Sequence, residues 1–402
     1  MRFALWAVLT TSVAVAQTTR QVTDAEVMRV HQSTLLIDTH NDVAMKTVTG
    51  YDISKPAPKG STDIPRLKSG NVGAQFFAAY VAAKYVKTNK SAEHARVVIN
   101  SIRNDIVGRH PDTFQFARSA EDILGARKRG KIAALIGLEG GHAIDDNLRT
   151  LREFYDSGVR YMTLTHSNTN NWADSAGDIN DTTVKHHGGL TKFGQDVVHE
   201  MNRLGMIVDV SHVADDTFWD VLDSSQAPVF ASHSSCRALA GSRRNMSDDM
   251  IRAMAKKGGV IQINFACDFL SERARLDSPE EKKKANAQFG SDQDELRAYV
   301  ESHFARATLA DVVAHIDHVV RVAGIDAVGI GSDFDGIDCA PIGLEDVGQF
   351  PNLTRALLEK GYTQEQIQKI YGGNTLRLMR EVERTAKTMQ GMAANRRGKR
   401  RT

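Results

Sequence analysis

An imidazole and a carboxylate stand two residues apart in Asp38-Thr39-His40-Asn41-Asp42, just past Thr34-Leu35-Leu36-Ile37, a short apolar run that reads as a buried strand. Imidazole nitrogen and carboxylate oxygen are ordinary ligands of a divalent metal such as zinc. One His-x-Asp pair in a loop means little, but the theme recurs along the chain. Glu139 follows the apolar run 131–138, where an unpaired charge would not be tolerated. His166, His212, His233 and Asp333 each close a further apolar run. Singly, each of these reads as a satisfied core or rim group. His40, Asp42, Glu139, His166, His212, His233 and Asp333 together read as the side chains of a metal site, provided the fold gathers them. His31, His142, His199, His315 and His318 fall outside the pattern and read as structural or exposed, and His186-His187 reads as a solvated part of the long segment 167–189.

Gathering them is the task of the intervening elements. Buried strands are expected at 34–37, 73–81, 131–138, 159–165, 206–210, 228–232, 259–265 and 327–332. Helical periodicity marks 21–32 with Thr23 at its cap, 91–107, 120–129 with Ser119 at its cap, 148–155 up to Gly158, and 190–204 up to Gly205. It continues at 217–222, 248–257, 296–322 and 363–382, the last opened by a Thr363-x-x-Gln366 capping box and interrupted at Gly372-Gly373. Residues 272–288 are highly charged and read as an exposed excursion. Eight apolar strands alternating with amphipathic helices describe an α/β protein, a (β/α)8 TIM-type barrel with loop insertions and its site at the C-terminal ends of the strands. A doubly wound open sheet is the other arrangement of such units, but it would not bring together ligands from strands spread over the whole chain.

The 402-residue chain has ordinary apolar (41%) and charged (25%) content and a net charge of +2, which gives no electrostatic case for nucleic acid or an anionic membrane. Met1-Arg2, an apolar stretch from Phe3 to Val15 and an Ala14-Val15-Ala16 cleavage motif read as a signal peptide over residues 1–16. The expected organisation is then a catalytic barrel over 17–386 and a basic, disordered tail over 387–402, in a secreted or periplasmic protein without a membrane anchor after cleavage. Cys236, Cys267 and Cys339 are too few for a disulfide framework, and the sequence leaves open whether any two are joined.

Taken in order, Asp38-Thr39-His40-Asn41-Asp42, Glu139-Gly140-Gly141-His142, Leu164-Thr165-His166-Ser167, Asp209-Val210-Ser211-His212, Ser232-His233-Ser234-Ser235, Arg243-Arg244-Asn245 and Gly329-Ile330-Gly331-Ser332-Asp333-Phe334-Asp335-Gly336 resemble the membrane (renal) dipeptidases, a zinc peptidase branch of the amidohydrolase-like barrels. The resemblance runs from Leu35 to Gly373. It implies two zinc ions, one held by His40 and Asp42, the other by His212 and His233, with Glu139 bridging them. It also implies that Asp333 carries the proton from a metal-bridging hydroxide to the leaving amine, that His166 donates to the developing oxyanion, and that Arg244 grips the α-carboxylate of a dipeptide substrate. His166, Arg244 and Asp333 would thus touch the substrate. The chemistry is coherent: two metals about 3.5 Å apart clamp nucleophile and carbonyl oxygen together, and a guanidinium matches a carboxylate with two parallel hydrogen bonds. Asp335 reads as an orienter of a ligating His.

The chain departs from mammalian members, which carry disulfides and a lipid-anchor signal: Asn168 follows His166-Ser167 where they have a cysteine. It resembles instead an exported bacterial-type member. Some relatives accept a D-residue at the C-terminal position, and dimers are common among them. Two alternatives stay open at this stage: the same barrel acting on another amide, such as an N-acyl amino acid, or an exported protein that binds peptide or metal without turnover. A proton shuttle at Asp333 argues against the latter.

Overall fold

Every strand pairing in the sheet is parallel, and the sheet closes on itself. The computed structural model describes residues 20–56 and 58–399, so the segment read as a signal peptide lies outside the described residues. The strands are β1 Leu36–Asn41, β2 Val72–Tyr80, β3 Phe114–Phe116, β4 Ile132–Glu139, β5 Val159–Thr163, β6 Ile207–Asp209, β7 Phe230–Ser234, β8 Val260–Ile263 and β9 Val328–Ile330. Their order is β2-β1-β9-β8-β7-β6-β5-β4, joined into a ring by β2 against β4. β3 was not expected and stays outside the ring. It pairs with Ile132–Ala134 at the start of β4, and β5 takes over from Ile136. The result is an eight-stranded parallel barrel inside a coat of helices, the (β/α)8 architecture.

Both faces of the strands are buried, which is why they read as unbroken apolar runs. Phe76 of β2, Tyr161 of β5 and Phe230 of β7 come from strands that are not neighbours and still touch, with ring centroids 5.4 and 5.2 Å apart, so they meet across the barrel interior. The helices begin and end much as their capping residues dictate. Thr23 and Ser119 accept from the backbone N–H groups of Glu26 and Asp122, and Gly158 and Gly205 end their helices at positive φ. Thr363 and Gln366 form the expected capping box.

Several boundaries differ from the sequence reading. β1 runs on through Asn41, so His40 lies in the strand and only Asp42 follows it; the parallel bridge between Asn41 and Phe334 extends the pairing that far. The single helix expected over 296–322 is two, Gln293–His303 and Leu309–Ala323, because Thr308 and Asp311 make a capping box that starts the second afresh. The excursion at 272–288 is itself helical, Glu272–Leu276 and Pro279–Phe289, pinned by the buried Ala274 and Ala285. Gly372-Gly373 lie in a wide turn, Lys369–Gly373, that leads without a break into a helix spanning Asn374–Lys399. Residues 387–399 therefore continue a helix where a disordered tail was expected, their many Ala, Met, Gln, Lys and Arg residues being good helix formers. Among the described residues, no helix is long and apolar enough to cross a membrane.

Cys267, in the short helix after β8, forms a disulfide with Cys339, in the loop after β9, and Cys236 is free and buried. The bridge staples two loops at the mouth of the barrel and closes a 72-residue separation. On a loop-entropy account it contributes about 4 kcal/mol. The Cys267→Ala/Cys339→Ala double variant should melt well below the oxidised protein and no longer respond to reductant; equal melting temperatures would show that the staple does not stabilise this fold.

Candidate active site

The seven acidic and histidine residues singled out by spacing converge at one end of the barrel, all delivered from the C-terminal ends of strands or the first residues beyond. Glu139, the last residue of β4, is the hub. Its Oε2 lies 3.5 Å from His40 Nε2, while its Oε1 faces His212 Nε2 at 3.0 Å, His233 Nε2 at 3.4 Å and His166 Nε2 at 3.8 Å. On the Oε2 side, His40 Nε2 is 3.3 Å from Asp42 Oδ2 and 3.9 Å from Asp333 Oδ1. The two oxygens of one carboxylate thus face two separate groups of side chains.

A second tier of buried groups holds these side chains in place. Asp209, at the end of β6, accepts from the backbone N–H of Ser211 (3.0 Å) and Ser232 (2.8 Å) and from the hydroxyls of Ser232 (2.6 Å) and Thr163 (2.5 Å). A carboxylate only accepts, so the Ser232 hydroxyl must donate to it and accept from His233 Nδ1 at 2.7 Å. The Nε2 lone pair of His233 is thereby aimed at the cluster. Asp38 has the equivalent place on β1, accepting from the backbone N–H and hydroxyl of Ser332 at 2.8 and 2.6 Å. His40 Nδ1 meets the Tyr161 hydroxyl at 2.7 Å. Asp333 Oδ2 accepts from Asn264 Nδ2 at 2.8 Å, and that amide is oriented by its own Oδ1, which accepts from Ala266 N–H. His212 and Asp333 both have positive φ (+67° and +62°), the strained backbone often found where function fixes a side chain.

Three carboxylates, Asp42, Glu139 and Asp333, share this largely buried pocket. The Glu139 carboxyl would be raised by burial, but the neighbouring His40 and His166, with His212 and His233 against its Oε1, hold it well below the ordinary range. Burial pushes Asp333 well above it, helped by Asp42 and Glu139 and opposed by His40. Burial chiefly holds His212 and His233 well below ordinary histidine, so both are neutral near pH 7. Yet their Nε2 atoms face each other at 2.9 Å, and His40 Nε2 is buried without a hydrogen-bond partner. Two imidazole nitrogens this close, an orphaned third and clustered carboxylates have one common remedy, a divalent cation. The side chains fit such a metal: His40, Glu139 and His233, His40, Asp42 and Asp333, and Glu139, His166 and His212 each offer ligand atoms within 4.8 Å of one another.

Arg244, from the loop after β7, reaches the same mouth. Its Nη2 donates to the His233 carbonyl at 3.2 Å, its Nη1 is buried without a partner, and the guanidinium lies 5.3 Å from the Phe269 ring centre. Burial lowers its pKa to about 10, so it remains a cation at neutral pH. Asp335 does not orient a ligand as expected. Its Oδ1 accepts from Lys46 Nζ and Ser61 N–H, both at 2.9 Å, tying the mouth loops together. His31, His142, His315 and His318 bond to backbone or neighbouring side chains, and His199 is exposed, all as expected. The sequence reading passed over Asn264, Tyr161 and Ser232. Asn264 carried the same signal as the others, a polar residue directly after an apolar strand, whereas Tyr161 and Ser232 sit inside strands and show themselves only through their partners.

The profile of the family described as membrane dipeptidase (peptidase family M19) matches residues 24–393. Among solved structures, the probable dipeptidase PvdM from Pseudomonas aeruginosa is 25% identical, with a TM-score of 0.77 over 90% of this chain and 99% of that one. A metallopeptidase from Rhodobacter sphaeroides, liganded with a phosphinate mimic of the dipeptide L-Ala-D-Ala, is 25% identical, with a TM-score of 0.71 over 87% of this chain and all of that one.

Asp209 touches no candidate ligand directly, yet its four donors would be stranded without it. Asp209→Ala should lose at least about 3 kcal/mol of stability even in chelator, where metal loss cannot be the cause. Denaturant unfolding measures this, and a loss under 1 kcal/mol would remove Asp209 from the framework of the site.

Proposed function

The chain belongs to the membrane dipeptidase family, peptidase family M19, and is a metallodipeptidase; from that premise we propose that it hydrolyses dipeptides, C-terminal D-residues included, with a pair of zinc ions. The observation that carries the zinc pair is the division of Glu139, one oxygen toward His40 and the other toward His212 and His233. His40 and Asp42 would hold one ion, His212 and His233 the other, and Glu139 both. Bound there, the metals supply a hydroxide nucleophile from water and polarise the scissile carbonyl.

The remaining steps fall to this chain's own side chains. Asn264 occupies Oδ2 of Asp333, leaving Oδ1 on the cluster side to take a proton and return it to the leaving amine. Burial, with Asp42 and Glu139 beside it, raises the proton affinity of that carboxyl, which lets it hold a proton in transit. His166 has the most exposed side chain of the histidines around Glu139 and packs against Tyr80 with ring centres 4.6 Å apart. It is suited to donate a hydrogen bond to the developing oxyanion. Arg244 has an unpaired Nη1 for the substrate carboxylate, the charge that distinguishes a dipeptide from a longer chain at this position. The L-Ala-D-Ala mimic held by the Rhodobacter sphaeroides enzyme supports including D-residues. Export to an oxidising compartment, with residues 1–16 as leader, accords with the Cys267–Cys339 bridge.

Zinc per chain and release of free amino acids from a dipeptide library with L- and D-residues, with and without chelator, test this reading. Two zincs and chelator-sensitive cleavage are expected; two zincs with no dipeptide cleaved would shift the substrate to another amide, and no bound metal would overturn the proposal. Asp333→Asn should lower kcat about 10²- to 10⁴-fold at unchanged zinc content. Arg244→Met should act mainly on KM, raising it roughly tenfold or more. An Asp333→Asn enzyme with normal kcat would remove the shuttle.

A further inference from the structure

Tyr161 lies wholly inside the barrel, midway along β5, where an aliphatic residue would fill the space without a buried hydroxyl to satisfy. Room has been made for it. Gly137 stands beside it on β4, and a Cβ there would lie 1.9 Å from the tyrosine Cζ. Phe76 and Phe230 pack its ring, so the phenol has one orientation and its oxygen one position. That oxygen touches two groups, the Thr39 carbonyl at 3.1 Å and His40 Nδ1 at 2.7 Å. A carbonyl can only accept, so the single phenolic hydrogen points to Thr39 and the oxygen's lone pair faces His40. His40 must then carry its hydrogen on Nδ1.

We infer that Tyr161 is the positioning residue for the His40 half of the centre: by accepting from Nδ1–H it fixes the imidazole tautomer and ring angle that leave Nε2 as a metal-binding lone pair beside Asp42 and Glu139. This rests on the reading of the cluster as a metal centre. The device is the counterpart of Ser232 at His233, built from a different residue on a different strand. His212 has no such partner, its Nδ1 being buried and unbonded, so the halves of the centre are not held alike. A hydrogen bond of this kind raises the basicity of a ligating imidazole, and its loss typically weakens metal binding 10- to 100-fold.

The test is zinc affinity of the metal-free, full-length protein, measured by competition with a chromophoric chelator, for the wild type and Tyr161→Phe. Tyr161→Phe removes one oxygen and keeps the ring. A 10- to 100-fold weaker zinc affinity, with melting of the metal-free variant within a few degrees of wild type, is the expected result. Equal affinities would overturn the role of Tyr161 while leaving the metal centre intact; a wild type that takes up no zinc would overturn the metal reading itself. Nitrogen-15 histidine spectra of the zinc-loaded wild type give a second readout that does not depend on the variant folding. His40 should appear with its proton on Nδ1, and a proton on Nε2 would refute the inference.

Discussion

Glu139 is a carboxylate at the end of a barrel strand, almost without solvent, with histidines on both sides and two further acids within reach. Burying one unpaired charge is costly, and burying three of the same sign is worse. The rest of the mouth accommodates that arrangement. His40 is pushed well above ordinary histidine, since Tyr161, Glu139 and Asp42 outweigh the burial that would lower it. Arg244 at the rim offsets only part of the negative charge. The site is built around a positive charge larger than its own side chains provide.

A closed parallel barrel suits such a site because its strands point their C-terminal ends at one place and resist being spread apart. Here two pairs of neighbouring strand ends are also locked together through a buried acid, Asp38 to Ser332 from β1 to β9 and Asp209 to Ser232 from β6 to β7. These acids satisfy backbone and hydroxyl donors, so the ligands stand on a rigid rim. The Cys267–Cys339 bridge and the Lys46–Asp335 pair extend the same strategy to the loops above it. Preorganisation of this kind is what lets a hydrolytic site act on a bound substrate without rearranging itself.

The composition of the amino-acid chain, the alternation of apolar runs with amphipathic segments and the acid or imidazole closing each run were enough to determine an eight-unit barrel and its seven candidate residues. Those features are local: burial on both faces makes a strand uniformly apolar, and a charge at its end needs no distant partner to be noticed. Caps such as Thr23, Ser119 and Thr363 were legible for the same reason, since the groups they satisfy lie within four residues. Pairings between residues far apart in sequence were not. The partner of Cys267, the extra strand Phe114–Phe116 and the ion pair that draws Asp335 away from the ligands all depend on which segments meet after the chain has closed. So does the choice of Asn264 to hold one oxygen of Asp333, and of Tyr161 and Ser232 to turn two imidazoles inward. The sequence named the atoms that can bind a metal; for His40 and His233 only the tertiary structure decided which lone pair is presented, because each tautomer rests on a hydrogen bond that reaches another strand, directly from Tyr161 or through Ser232 to Asp209.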